Sequence, residues 1–166
     1  MTLAAMMNDR FSAESPPFSG PKELPSLKGT GRERMTALGN RILLVDDDPH
    51  ILEALQAALL LEGYEVLLAC DGKEGLMRAE LERPDLIVMD LVMPRWSGLT
   101  ILEHLRKNPR SHVPIIMMSG LEQEGLRHFV EARGVELFLR KPFCLDAFIS
   151  KVHEILPCHI LAEAGV

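Results

Sequence analysis

Residues 41–63 read RILLVDDDPHILEALQAALLLEG, and the change of period inside that stretch decides the architecture. Ile42–Val45 is an unbroken apolar run, the mark of a strand covered on both faces. Ile51, Leu55 and Leu59 then recur at helical spacing until Gly63 stops the helix. Outward from there the alternation continues. Tyr64–Ala69 reads as a second strand, more mixed and so suited to a sheet edge. Asp71 caps a helix, with Glu74 three residues on, and Pro84 closes that region. Asp85–Met89 is a third strand. Ser97 caps a helix carrying Leu99, Leu102 and Leu105, which ends near Asn108-Pro109. Pro114–Met118 is a fourth strand, followed by a helix marked by Leu126, Phe129 and Val130 and ended by Gly134. Val135–Leu139 is a fifth strand. Leu145, Phe148, Ile149, Val152 and Ile155 form the stripe of a last helix, with Pro157 beyond it. Five strand–helix units joined by short links predict an α/β fold, a five-stranded parallel sheet with helices on both faces. No internal repeat and no second core is visible.

A chain of 166 residues with 47% apolar content fits one domain and a tail. Residues 1–40 differ from the rest. Pro16, Pro17, Pro21 and Pro25 alternate with serines, glycines and charges, and no hydrophobic period survives. They read as a disordered N-terminal tail, with Met35 an alternative start. The domain then spans 41–157, and 158–166 form a short C-terminal tail. The tail carries five basic and four acidic residues, net +1, so the remainder carries −7 to give the chain's net −6. That argues against a nucleic-acid binder, which would show a basic face. No stretch approaches the length of a membrane span and no signal peptide is evident. Cys70, Cys144 and Cys158 lack metal-type spacing and read as small packing residues of a reduced, cytoplasmic protein. The six histidines (His50, His104, His112, His128, His153, His159) read as surface residues.

The chemistry gathers at strand ends. Asp46-Asp47-Asp48 follows the first strand, Asp90 the third, Ser119 the fourth and Lys141 the fifth. In open α/β sheets, ligands bind outside the carboxyl ends of the strands, where strand order reverses. With order 2-1-3-4-5 the reversal lies between strands one and three, and the aspartates converge there. Clustered carboxylates repel unless a cation joins them. A hard divalent ion with oxygen ligands resolves this, and Mg2+ suits a site that also holds a phosphoryl group. Lys141 adds a point charge for phosphate oxygens and Ser119 one hydrogen bond. Those parts around Asp90 as nucleophile are what a phosphoryl transfer needs. A lone Asp after a strand is more often a turn or helix cap, which is the role assigned to Asp48 before Pro49. The coincidence of four strands delivering fitting groups to one end outweighs that reading for the others.

The motifs ILLVDDDP (42–49), DLIVMDLVMP (85–94) with Gly98, PIIMMSG (114–120) and KPF (141–143) resemble the response-regulator receiver family. The similarity covers about Arg41 to Pro157, in the manner of a chemotaxis-regulator-like, stand-alone receiver. It implies a flavodoxin-like doubly wound (βα)5 fold. It also implies Asp90 as phosphoacceptor, with Asp47, Asp90 and the Val92 backbone carbonyl on Mg2+ directly and Asp46 through a water. Lys141 would bridge toward the phosphoryl group, before a cis peptide to Pro142. Ser119 would follow the new phosphoryl oxygen, and Phe138, at the switch-aromatic position, would swing inward with it.

The resemblance implies a signalling domain and not a turnover enzyme. Its donor would be a sensor histidine kinase or a histidine phosphotransfer protein. The chain ends soon after the last helix, so output is expected through protein contact or onward transfer, without nucleic acid or membrane. A phosphorylation-dependent homodimer is a further expectation. Two other classes compete: a phosphorylation-independent pseudo-receiver adaptor, and a Mg-dependent phosphatase with an Asp nucleophile. The phosphatase usually needs a second Asp two residues after the nucleophile, where this chain has Val92. Three departures from the family stand out. The switch residue is Phe138 and not Tyr, so it offers no hydroxyl. Cys144 stands where a capping residue is usual. Val92 and Leu121, at positions that govern water access to the phosphoryl group, are both apolar, which predicts a long-lived phosphoryl group. Trp96 reads as exposed on the loop beside the site, where it would report Mg2+ by fluorescence or contact the kinase.

Overall fold

The computed structural model describes residues 40–108, 112–122 and 124–157. The readings of residues 1–39 and 158–166, including Met35, Cys158 and His159, lie outside them. Ten elements alternate: β1 (Arg41–Val45), α1 (Pro49–Leu61), β2 (Glu65–Ala69), α2 (Gly72–Glu82), β3 (Leu86–Asp90), α3 (Gly98–Lys107), β4 (Ile115–Ser119), α4 (Leu126–Glu131), β5 (Leu137–Arg140) and α5 (Leu145–Ile155). The strands form one sheet in the order β2-β1-β3-β4-β5, and every neighbouring pair is parallel. This is the flavodoxin-like (βα)5 arrangement predicted.

Period-two alternation splits the core into two layers. Leu43, Val45, Ile87, Met89, Ile115 and Met117 face one side, against residues of α2, α3 and α4. Ile42, Leu44, Leu86, Val88, Ile116 and Met118 face the other, against α1 and α5. All five residues of β3 and of β4 are buried, whereas β2 carries the pattern of an edge strand. Burying one aliphatic side chain contributes about 1.5–3 kcal/mol, so these two layers dominate the fold's stability.

Local signals act as read. The Asp48 side chain accepts from the His50 amide, Asp71 from Glu74 and Ser97 from Thr100. Cys144 precedes α5 and makes no side-chain cap bond. The strand limits shift at the functional end. β3 and β4 run on through Asp90 and Ser119, because Asp90 pairs with Met118 and Ser119 with Arg140 in the ladder. β5 starts two residues late, since Val135 is spent closing the α4–β5 turn through its amide bond to Val130.

Five residues depart from their sequence reading. Trp96 is buried, 7% exposed, because its ring packs on the His104 imidazole and into the α2–α3 side of the core. Cys70 and Cys144 are exposed and are not packing residues. The Cys70 thiol lies 3.3 Å from a Glu74 oxygen, and that carboxylate pushes its pKa up. His104 and His153 are half-buried, His153 between the Tyr64 ring and Glu62. Among the described residues, no helix is long and apolar enough to cross a membrane.

Candidate phosphoacceptor site

The carboxyl ends of β1, β3, β4 and β5 bring four predicted groups together. Lys141 Nζ lies 2.7 Å from Asp46 Oδ2 and 2.6 Å from Asp90 Oδ1. One ammonium therefore bridges carboxylates from either side of the point where strand order reverses. Asp46 is 1% exposed and Asp90 5%. Backbone amides hold the remaining oxygens: the Asp48 amide donates to Asp46 Oδ1 at 2.9 Å, and the Val92 amide to Asp90 Oδ2 at 2.7 Å.

Lys141 and Ser119 are joined through the backbone, the Lys141 amide donating to the Ser119 carbonyl at 2.8 Å. The peptide between Lys141 and Pro142 is cis, as the resemblance implies. Ser119 is fully buried, and its hydroxyl accepts from the Leu121 amide at 3.1 Å. Phe138 is 6% exposed and packs in the α2–α4 core layer, so its ring already lies inward.

The electrostatics follow from this enclosure. Burial pushes the Asp90 carboxyl above its ordinary value, with the hydrogen bond and charge of Lys141 opposing. Burial works against the Lys141 charge too, but its hydrogen bonds to Asp46 and Asp90 prevail and raise its pKa. The nucleophile candidate thus carries an ionised form that is costly to keep and held by one cation.

Asp46, Asp90 and the Val92 carbonyl are hard oxygen donors, and Mg2+ is commonly held by one or two carboxylates with waters completing its shell. Asp47 stands apart: it is exposed. Among the described residues, no three His, Cys, Asp or Glu side chains converge as a metal cluster. The oxygen chemistry of Asp46, Asp90 and the Val92 carbonyl fits Mg2+.

Gly98, quoted with the DLIVMDLVMP motif but given no role there, frames the site. A Cβ on Gly98 would lie 2.3 Å from the Asp90 carbonyl oxygen, and the Gly98 amide donates to the Leu91 carbonyl at 3.0 Å. The start of α3 is folded back onto the peptide of Asp90. The GL pair after a Ser cap was the available signal, but nothing in the sequence says what the glycine approaches.

Comparison with known proteins agrees with this geometry. The response regulator receiver domain profile matches residues 42–153. The alkaline phosphatase synthesis transcriptional regulatory protein PhoP of Bacillus subtilis is 36% identical over 123 residues, 72% of this chain and 49% of that protein. The DNA-binding dual master transcriptional regulator RpaA of Synechocystis is 34% identical over 119 residues, 70% of this chain and 48% of its own length. The chain therefore spans about half the length of these curated relatives. Among solved structures, the chemotaxis protein CheY4 of Vibrio cholerae superposes with a TM-score of 0.66 at 28% identity, covering 71% of this chain and 99% of that one. A CheY-like receiver domain protein from Methanospirillum hungatei gives 0.65 at 33% identity, covering 70% and 92%. With the profile spanning most of the chain and the fold matching strand for strand, this chain belongs to the response regulator receiver domain family of two-component signalling.

Proposed function

We propose that Asp90 accepts a phosphoryl group from a phosphohistidine on a sensor histidine kinase or phosphotransfer protein, as a signalling step and not as turnover catalysis. The observation that carries this is the Lys141 ammonium seated between two buried carboxylates, 2.6 Å from Asp90. In the transfer a carboxylate oxygen of Asp90 attacks phosphorus, the phosphorus–nitrogen bond of the donor breaks, and the imidazole leaves with the bond's electron pair. Mg2+, held by Asp90, the Val92 carbonyl and Asp47, with Asp46 through water, would supply charge for the phosphoryl oxygens. Lys141 moves from pairing Asp90 to pairing a phosphoryl oxygen. Ser119 exchanges its Leu121 amide bond for one it donates to another phosphoryl oxygen.

The donor's docking face has support in an apolar groove of about 520 Å3 between α1 and the β5–α5 loop, walled by Ile51, Ala54, Phe143 and Leu145 with Lys141 at its edge. A phosphohistidine domain seated there would present its ring beside Lys141. Output runs through protein contact or onward transfer, with a phosphorylation-dependent homodimer and a cytoplasmic setting part of the same reading. The acidic balance keeps nucleic acid out of the partners proposed for the receiver itself.

The test is intact mass after incubation with acetyl phosphate, with and without Mg2+, beside Asp90→Ala. A Mg2+-dependent gain of one phosphoryl group, absent from the variant, is expected. No gain under any condition would overturn the reading in favour of a pseudo-receiver adaptor.

A further inference from the structure

The loop between β3 and α3 carries Val92, whose carbonyl is proposed for the metal. An open loop of this kind is ordinarily mobile. Here it is fastened at three places. At its start the Val92 amide donates to Asp90 Oδ2 at 2.7 Å. Gly98 presses its far end onto Asp90 and Leu91. Trp96 pins the stretch just before that end: the Trp96 amide donates to the Pro94 carbonyl at 2.7 Å, across Arg95 at φ 66°, and the residue is 7% exposed.

Two other elements form the slot that receives Trp96. On α2, a Cβ at Gly72 would meet the Trp96 carbonyl oxygen at 2.5 Å and Trp96 Cβ at 2.6 Å, so the helix start touches the loop backbone only because it lacks a side chain. On α3, the His104 ring centroid lies 5.3 Å from the indole, and His104 Nδ1 is 2.8 Å from the Thr100 carbonyl oxygen, which sets the ring plane. The helix faces that grip the indole are themselves packed on the sheet, so they are rigid relative to β3.

We infer that Trp96 is a positioning residue for the metal site, a wedge between Gly72 and His104 that holds the Val92 carbonyl ready before any ion arrives. This rests on the reading of Asp90 as phosphoacceptor with Val92 as a metal donor. Residues that orient ligands in this indirect way typically change metal affinity by 10–100-fold when removed.

The test compares the parent, Trp96→Ala, Trp96→Phe and Gly72→Ala. Mg2+ affinity is read by calorimetry, and amide exchange over 91–98 is followed in metal-free protein. Phosphoryl uptake from acetyl phosphate is measured at saturating Mg2+. Expected is a Mg2+ affinity roughly ten-fold weaker in Trp96→Ala, with faster exchange confined to that loop. Uptake should recover once Mg2+ saturates. Trp96→Phe should restore most of the affinity, and Gly72→Ala, which keeps the indole but fills its slot, should reproduce the loss. Parental affinity in Trp96→Ala, or exchange that rises equally throughout the sheet, overturns the inference. If Trp96→Ala does not fold, Trp96→Phe and Gly72→Ala decide it alone. A parent that binds Mg2+ but takes no phosphoryl group overturns the phosphoacceptor reading instead, while the affinity and exchange comparisons still judge the wedge.

Discussion

Lys141→Met removes the one cation between Asp46 and Asp90 while keeping most of the side chain's volume. Two carboxylates, with side chains 2% and 7% exposed, then face each other without a cation, keeping only their amide bonds from Asp48 and Val92. Stranding the partner of a buried ion pair costs about 3–5 kcal/mol. The Lys141 side chain is itself 20% exposed, so solvent screens part of this and about 2–3 kcal/mol remains. An unfolding entropy of about 2.1 cal/mol/K per residue, applied to a domain of this size, converts the loss to a fall of about 10 °C in Tm. The assay is thermal unfolding in EDTA near neutral pH, repeated with Mg2+ and at lower pH. Mg2+ should narrow the gap, because a divalent ion can replace the ammonium between the carboxylates. Acid should narrow it as well. Burial holds the Asp90 pKa up, so its neutral form is the cheaper one in the fold, and protonating it removes the stranded charge. A Tm within about 2 °C of the parent in EDTA would refute the reasoning, as would a gap indifferent to both Mg2+ and pH.

Three further outcomes are expected. Val92 is 43% exposed beside the site, and Val92→Asn should speed decay of the aspartyl phosphate by a few-fold, well below the roughly 100-fold or more of a positioned acid or base, because an exposed amide only orients water; an unchanged decay rate of purified phosphoprotein sinks the idea. Asp90→Asn should stabilise the metal-free protein at neutral pH. The parent's raised pKa means it loses stability as pH rises through that value, and the variant lacks this loss; urea midpoints whose difference is the same at acid and neutral pH would contradict it. Gly98→Ala places a methyl 2.3 Å from the Asp90 carbonyl oxygen and should cost about 1–3 kcal/mol in denaturant unfolding, with slower phosphoryl uptake; full stability would show that α3 shifts freely.

The sheet was legible because apolar runs and helical stripes are dense in this chain, and because α1, α2 and α3 each start on a short polar cap. Asp46, Asp90, Ser119 and Lys141 were legible because strand ends are fixed by those runs, which forces the four groups to one edge. What stayed hidden depends on tertiary distance. Trp96 follows Met93-Pro94-Arg95 on a loop, so local pattern points outward; its burial arises from a slot made by Gly72, 24 positions earlier, and His104, on another helix. The exposure of Asp47 is hidden likewise, since adjacent residues after a strand point to opposite sides and the sequence does not say which carboxylate goes in.

Phe138 packs inward while the Ser119 hydroxyl is still bonded to the Leu121 amide. That arrangement bears on dynamic range. If the output face is read by where the ring sits, a modification can raise the active fraction by no more than the reciprocal of the fraction already inward at rest. A receiver that rests with its aromatic tucked in is a low-gain device by ring position alone. On the proposed roles, contrast between states would then come from the Ser119 hydroxyl, which gives up its bond from the Leu121 amide.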